Sequence, residues 1–207
     1  LGYLAATGIF AAVFVVAVWL QISSRRFSPY LYWFTIIATT TVGTTLADFS
    51  TRSLGIGYAG GSALLAALLL GSLAVWYRTT GTVAMASVST PRAEAFYWTT
   101  IMFSQTLGTA LGDWTADTAG LGYVGAAAIF GALLLGVAGA YWWSTVSRTV
   151  LFWIAFVLTR PLGAVVGDYL DKPVASGGLE LSRYTATAVL FLFVLVCVTF
   201  SGREPSE

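Results

Sequence analysis

Three aspartates end three otherwise apolar segments: Asp48 closes "TVGTTLAD", Asp113 closes "TLGTALGD" and Asp168 closes "PLGAVVGD". In a chain with only 9% charged residues, acids recurring at one register are candidates for ion or proton handling, because a carboxylate inside apolar surroundings is costly unless paired or used. On a helix, the positions four and seven residues before each acid share its face. They are Thr44 and Thr41, Thr109 and Thr106, and Ala164 and Pro161. Two segments therefore carry a Thr-Thr-Asp stripe of oxygen ligands. Eight residues before the acids stand Thr40, Gln105 and Arg160. Arg160 falls near the middle of "VLFWIAFVLTRPLGAVVGDYL", where an arginine costs about 2.5 to 3.5 kcal/mol on insertion scales. It is expected to face the protein interior and to pair. Asp168 is two turns along the same helix, roughly 12 Å away; Asp48 or Asp113 from another segment is the expected partner, with Gln105 a neutral one. Pro161 is expected to loosen its helix and free a carbonyl for Arg160 or a cation.

Such residues need a scaffold that keeps them inside an apolar body, and the composition supplies one. Hydrophobic residues make up 57% of the 207, with eight Trp, and the mean hydropathy is +0.82. This excludes an ordinary soluble domain. Apolar runs at about 1–21, 30–47, 58–77, 95–112, 121–143, 149–167 and 183–200 are each long enough to cross a hydrocarbon core of roughly 30 Å as a helix. The runs are continuous rather than alternating, which favours helices over a barrel. The expected fold is an all-α integral membrane protein of seven transmembrane helices, residues 1–207 forming a single transmembrane domain. The first run has no basic residue ahead of it and is followed by Arg25 and Arg26, so it reads as a retained span rather than a signal peptide.

The spans repeat. Trp33, Trp98 and Trp153 each precede an acid by 15 residues, and Gly43, Gly108 and Gly163 each precede it by five. "IGY" at 56–58 and "LGY" at 121–123 each place a tyrosine ten residues after the acid, and "LGY" also opens the chain. Repeats at about 27–80, 92–143 and 147–200, with a partial one at 1–26, describe tandem parallel two-helix units. The expected parent has four units, of which about three and a half are present and the first helix is missing. The glycines form small-xxx-small pairs, Gly43 with Ala47, Gly108 with Gly112 and Gly163 with Gly167, which signal close helix packing. The tryptophans and tyrosines near span ends read mostly as interfacial anchors.

This unit, a Trp-led helix ending T-x-G-x4-D followed by a [LI]GY-led helix, resembles DUF347, a repeat of unknown function in bacterial multi-pass membrane proteins. "FWIAFVLTRPLGAVVGDYL" and the "GG" that follows resemble its last repeat, and the likeness covers essentially the whole chain. The resemblance implies the fold and the repeat number. It implies no activity and no catalytic residues.

The remaining composition narrows the chemistry. There is no histidine, which excludes imidazole relays, bis-His haem ligation and His-based metal sites. Lys172 is the only lysine and falls in a loop, which excludes a retinal Schiff base. One cysteine, Cys197, forbids an intramolecular disulfide and, with two Met, gives soft metals no ligand set. There is no P-loop, GxSxG, HExxH or CxxC, and no basic patch for nucleic acid. An enzyme is not expected, nor a cofactor. Arg25, Arg26, Arg78, Arg92, Arg148 and Arg203 fall at one end of the spans, and Arg52, Lys172 and Arg183 with Asp48, Asp113, Asp117, Asp168, Asp171 and Glu180 at the other. The positive-inside rule makes the first end cytoplasmic. The expected location is the inner (plasma) membrane, with the C-terminus cytoplasmic and residue 1 on the outer side.

Two functions fit. One is a transporter or channel for a hard divalent cation of the Mn²⁺ or Mg²⁺ type, or for a proton-coupled solute. Asp48, Asp113 and Asp168 are its candidate metal ligands, and Arg160, Gln105, Thr41, Thr44, Thr106 and Thr109 complete the candidate set. The other is a non-catalytic accessory or assembly subunit, in which the Asp/Arg set ties repeats together and a membrane protein is the partner. The linker at 79–95 is the expected hinge between halves 1–80 and 90–207.

Overall fold

The computed structural model describes residues 3–24, 28–118 and 120–201. Within them the chain is all-helical: α1 (Tyr3–Ser23), α2 (Pro29–Asp48), α3 (Gly57–Thr80), α4 (Pro91–Asp113), α5 (Gly122–Trp143), α6 (Arg148–Asp171) and α7 (Arg183–Ser201). Local chemistry sets the ends. Ser28 and Thr90 cap α2 and α4 by accepting from the N–H groups of Leu31 and Ala93, each with a proline as the first helical residue. The "GY" motif opens α3 and α5 with Gly57 at φ 65° and Gly122 at φ 63°, a left-handed backbone that glycine adopts without strain. Beyond Asp48 and Asp113 the backbone widens into single π-helical turns, Phe49–Ser53 and Trp114–Thr118.

The helices sort into an inner and an outer set. Helix α4 packs against both α2 and α6 to make an inner arc, while α1 packs on α2, α3 on α4 and α5 on α6. Each outer helix therefore leans on the inner helix that follows it in sequence. Helix α7 touches α6 only sparsely. Three helices, Gly57–Thr80, Gly122–Trp143 and Arg148–Asp171, are long and apolar enough to cross a membrane. Among the described residues, α1 and α7 contribute the apolar stretches Thr7–Ser23 and Arg183–Cys197. Helix α2 is diluted by its threonines and α4 carries Arg92, Glu94, Gln105 and Asp113. That polarity is tolerated because the inner helices are sheathed by others, α4 most completely.

One end of the arc is closed by aromatic rings. Trp76, Tyr97, Trp98 and Trp153 meet edge to face with centroids 5.2 to 6.4 Å apart, and the Tyr32 and Tyr97 hydroxyls lie 2.8 Å apart. Two of the three repeated tryptophans are thus core residues rather than interfacial anchors: Trp98 is 1% and Trp153 6% exposed, against 39% for Trp33. The linker after α3 is packed against this cluster. Val83, Met85 and Val88 pack on the aromatic cluster, and the Trp153 indole N–H donates to the Val83 carbonyl at 3.0 Å. Pro161 does not interrupt α6, which runs through it unbroken.

Glycines set the spacing of the arc. A Cβ placed on Gly43 would stand 3.0 Å from the Gln105 Cβ, and one on Gly108 would collide with the Cβ of Arg160 and stand 3.1 Å from its Cα. The glycine of one inner helix thus abuts the residue eight before the acid in the next. Gly108→Ala is expected to cost about 1–3 kcal/mol through overpacking, read as a lowered midpoint of thermal unfolding in detergent. Gly71→Ala, where the added Cβ would meet no neighbouring atom within 4 Å, should stay within about 0.5 kcal/mol. Equal effects at the two positions would contradict this packing.

Candidate functional site: a charged cavity between the inner helices

The inner arc encloses a cavity of about 640 Å³, and its walls follow one rule. Each inner helix contributes its acid, the residue four before it and the residue eight before it: Asp48, Thr44 and Thr40; Asp113, Thr109 and Gln105; Asp168, Ala164 and Arg160. At about 100° per residue, these three positions span an arc of about 80° centred on the middle one. The position seven before the acid lies about 60° from that centre. Thr41 and Thr106 occupy it and stay out of the lining; their hydroxyls donate to the carbonyls of Ile37 and Met102 at 3.0 and 2.8 Å, as those of Thr44 and Thr109 do to Thr40 and Gln105 at 3.1 and 3.4 Å. Both were expected to face the site; neither does. The glycines lie about 100° from the centre, towards the neighbouring helix. Gly163 lines the cavity, and a Cβ placed on it would meet no neighbouring atom within 4 Å.

At the mouth three cations stand among four acids. Arg52, in the turn beyond α2, lies between two acids: its Nε is 3.4 Å from Asp48 and its Nη2 3.6 Å from Asp113. The Tyr58 hydroxyl, from the first "GY" motif, accepts from the same Nη2 at 3.1 Å. Partial burial works to lower the Arg52 pKa, but the Tyr58 hydroxyl and the two carboxylates outweigh it and leave the pKa raised. Lys172 stands 4.0 Å from Asp168, and Arg183 reaches back from α7 to Asp171 at 3.2 Å. Of these four ion pairs, two join residues four apart in sequence, one joins Arg52 to Asp113 of α4, and one joins the last residue of α6 to the first of α7. Arg52 and Lys172 follow their acids by four residues, a spacing that identifies ion pairs; Asp171 and Arg183 have no such periodic signal. Arg25, Arg26 and Arg203, and the side chain of Asp117, lie outside the described residues.

The floor differs from the mouth. Arg160 finds neither of its expected acid partners; Asp48 and Asp113 are bridged by Arg52 nearer the mouth. Its guanidinium lies over the Phe156 ring at 4.5 Å, no carboxylate among the described residues reaches it within 4.0 Å, and its Nε has no hydrogen-bond partner. Gln105, 4% exposed, also lines the cavity, and its side-chain nitrogen has no acceptor. Thr40 beside them donates to the Ile36 carbonyl at 3.0 Å. Among the described residues, no three acidic side chains gather closely enough to hold a metal ion. The three proposed metal ligands instead share one cavity, with cations beside them.

Residues 31–82, 96–147 and 151–203 each match the family model described as Repeat of Unknown Function (DUF347). No curated protein and no solved structure matches the chain. The repeat boundaries therefore coincide with the inner–outer helix pairs α2–α3, α4–α5 and α6–α7.

Arg52 is half exposed, so its bridge is a screened one, on the order of 0.2–1 kcal/mol. Arg52→Ala should lower the unfolding midpoint in dilute buffer, and the difference from wild type should shrink in molar salt. A salt-independent loss would point to packing rather than charge.

Proposed function

The chain belongs to the DUF347 family, and from that premise we propose that it is a multi-pass membrane carrier that moves a small polar solute through the cavity of its inner arc. The observation that carries this is the threefold recurrence of the lining. Three successive repeats turn the same three positions towards one space, and eight of those nine residues are acids, threonines, a glutamine and an arginine, Ala164 being the ninth. Packing alone needs small or apolar residues there. Ionisable groups inside membrane helices face bundle interiors or water-filled paths.

In this reading all seven helices span the plasma membrane, the polar α2 and α4 being carried by their apolar neighbours. The C-terminus is cytoplasmic, and the acidic mouth opens outward. The aromatic layer of Trp76, Tyr97, Trp98 and Trp153 is the closed gate opposite the mouth, and transport requires its rings to part. Of the two cargo classes, a proton-coupled solute fits better than a divalent cation. Arg52 between Asp48 and Asp113, and Lys172 beside Asp168, put positive charge where such an ion would sit. The accessory-subunit reading draws support from the same Arg52 bridge, which ties α2 to α4.

Proteoliposomes holding wild type or Asp113→Asn should be assayed for uptake of organic solutes under an imposed proton gradient and, separately, for Mn²⁺ uptake. The carrier reading expects solute uptake by wild type, a loss of tenfold or more in Asp113→Asn, and unfolding midpoints within a few degrees. No uptake by either protein, with a large drop in the variant's midpoint, would favour the structural reading instead.

A further inference from the structure

The mouth and the floor of the cavity carry different chemistry. All four acids lining the cavity stand towards the mouth and each is beside a cation: Asp48 and Asp113 with Arg52, Asp168 with Lys172, Asp171 with Arg183. What remains is the charge of Arg160 at the floor, which has no acid partner among the described residues. Beside it is Gln105, 96% buried by its 4% exposure, with a side-chain nitrogen that has no acceptor. Both groups are donors. An unsatisfied buried donor costs about 1–3 kcal/mol, more if charged, so the pair is a poor structural feature and a good recognition one.

The backbone holds the two donors in place. Gly43 abuts Gln105 and Gly108 abuts Arg160, so neither helix can slide without a clash. The guanidinium carbon of Arg160 lies 4.5 Å from the centre of the Phe156 ring. We infer that Gln105 and Arg160 form a subsite for the carboxylate of a small organic solute. One guanidinium matches one negative charge, and its planar fork matches the two oxygens of a carboxylate. The carboxamide donates to the outer lone pair of one oxygen. A polyanion is disfavoured, since it must pass four acids and exceeds the one unmatched positive charge. A bare cation is repelled by the floor. The inference rests on the carrier reading only in making this carboxylate solute the cargo.

The test is calorimetric titration of the purified full chain in detergent with acetate, propionate and glycine, and with inorganic phosphate and MnCl₂ as contrasts. Two variants accompany wild type. Gln105→Glu replaces a donor by a charge that pairs with Arg160 and fills the subsite. Arg160→Lys keeps the charge and loses the fork. At least one carboxylate should bind wild type, with a tenfold or greater loss in Gln105→Glu and a smaller loss in Arg160→Lys, and ligand-free melting should change little. Absence of carboxylate binding to wild type overturns the subsite, as do unchanged affinities in both variants or binding of phosphate or Mn²⁺ alone. Flux of the bound carboxylate separates the two claims. Binding without flux keeps the subsite and removes the carrier; flux indifferent to both variants keeps the carrier and removes the subsite.

Discussion

The close approach of the inner helices at two glycines is the constraint on which the rest depends. Without a side chain at Gly43 and Gly108, α2 meets α4 at Gln105 and α4 meets α6 at Arg160. This contact fixes both the spacing of the arc and the rotation of each helix about its axis. Rotation in turn decides which residues face the cavity. Because the notch lies about 100° from the centre of the lining, the residues that remain for the cavity are the acid and those four and eight before it. A longer side chain in the notch would spread the helices and turn the polar row away from the shared space.

Much of this was legible in the residues. The repeat of Trp, Gly and Asp gave equivalent depth to three helices, and the cavity gathers all three acids with Thr44, Thr109, Gln105 and Arg160. Thr41 and Thr106 were misplaced because a helix face is an arc whose centre a lone sequence does not reveal. Taking the acid as the centre admits the position seven before it; the true centre is four before it and excludes that position. The partner of Arg160 was misjudged for a related reason. Arg52 follows Asp48 by four residues, but that it also reaches Asp113 depends on how α2 and α4 lean together. Trp98 and Trp153 looked like anchors because their place near a helix end is visible in sequence, while the neighbours that bury them are not.

The charge layout also explains how a largely apolar protein keeps ionisable groups in its interior. At the mouth, partial exposure lets each carboxylate sit beside a cation at modest cost. Deeper in, the protein relies on aromatic and amide surroundings, with Phe156 under Arg160 and the Tyr32–Tyr97 pair beyond it. The polarity of α2 and α4 belongs to the same design. Helices that line a wet space need not be apolar all round, provided that apolar helices such as α3 and α5 stand between them and lipid.

The central claim is that the lining residues face one water-filled space open at the acidic end and shut at the aromatic end. Sided thiol labelling tests it most directly. In a Cys197→Ser background, Thr44→Cys and Thr109→Cys should react with a membrane-impermeant maleimide from one side of sealed, uniformly oriented proteoliposomes and not from the other. Thr100→Cys, at a fully buried site whose hydroxyl meets that of Ser72, should react from neither. Silence at Thr44 and Thr109 from both sides would mean a dry, structural interior and contradict the account.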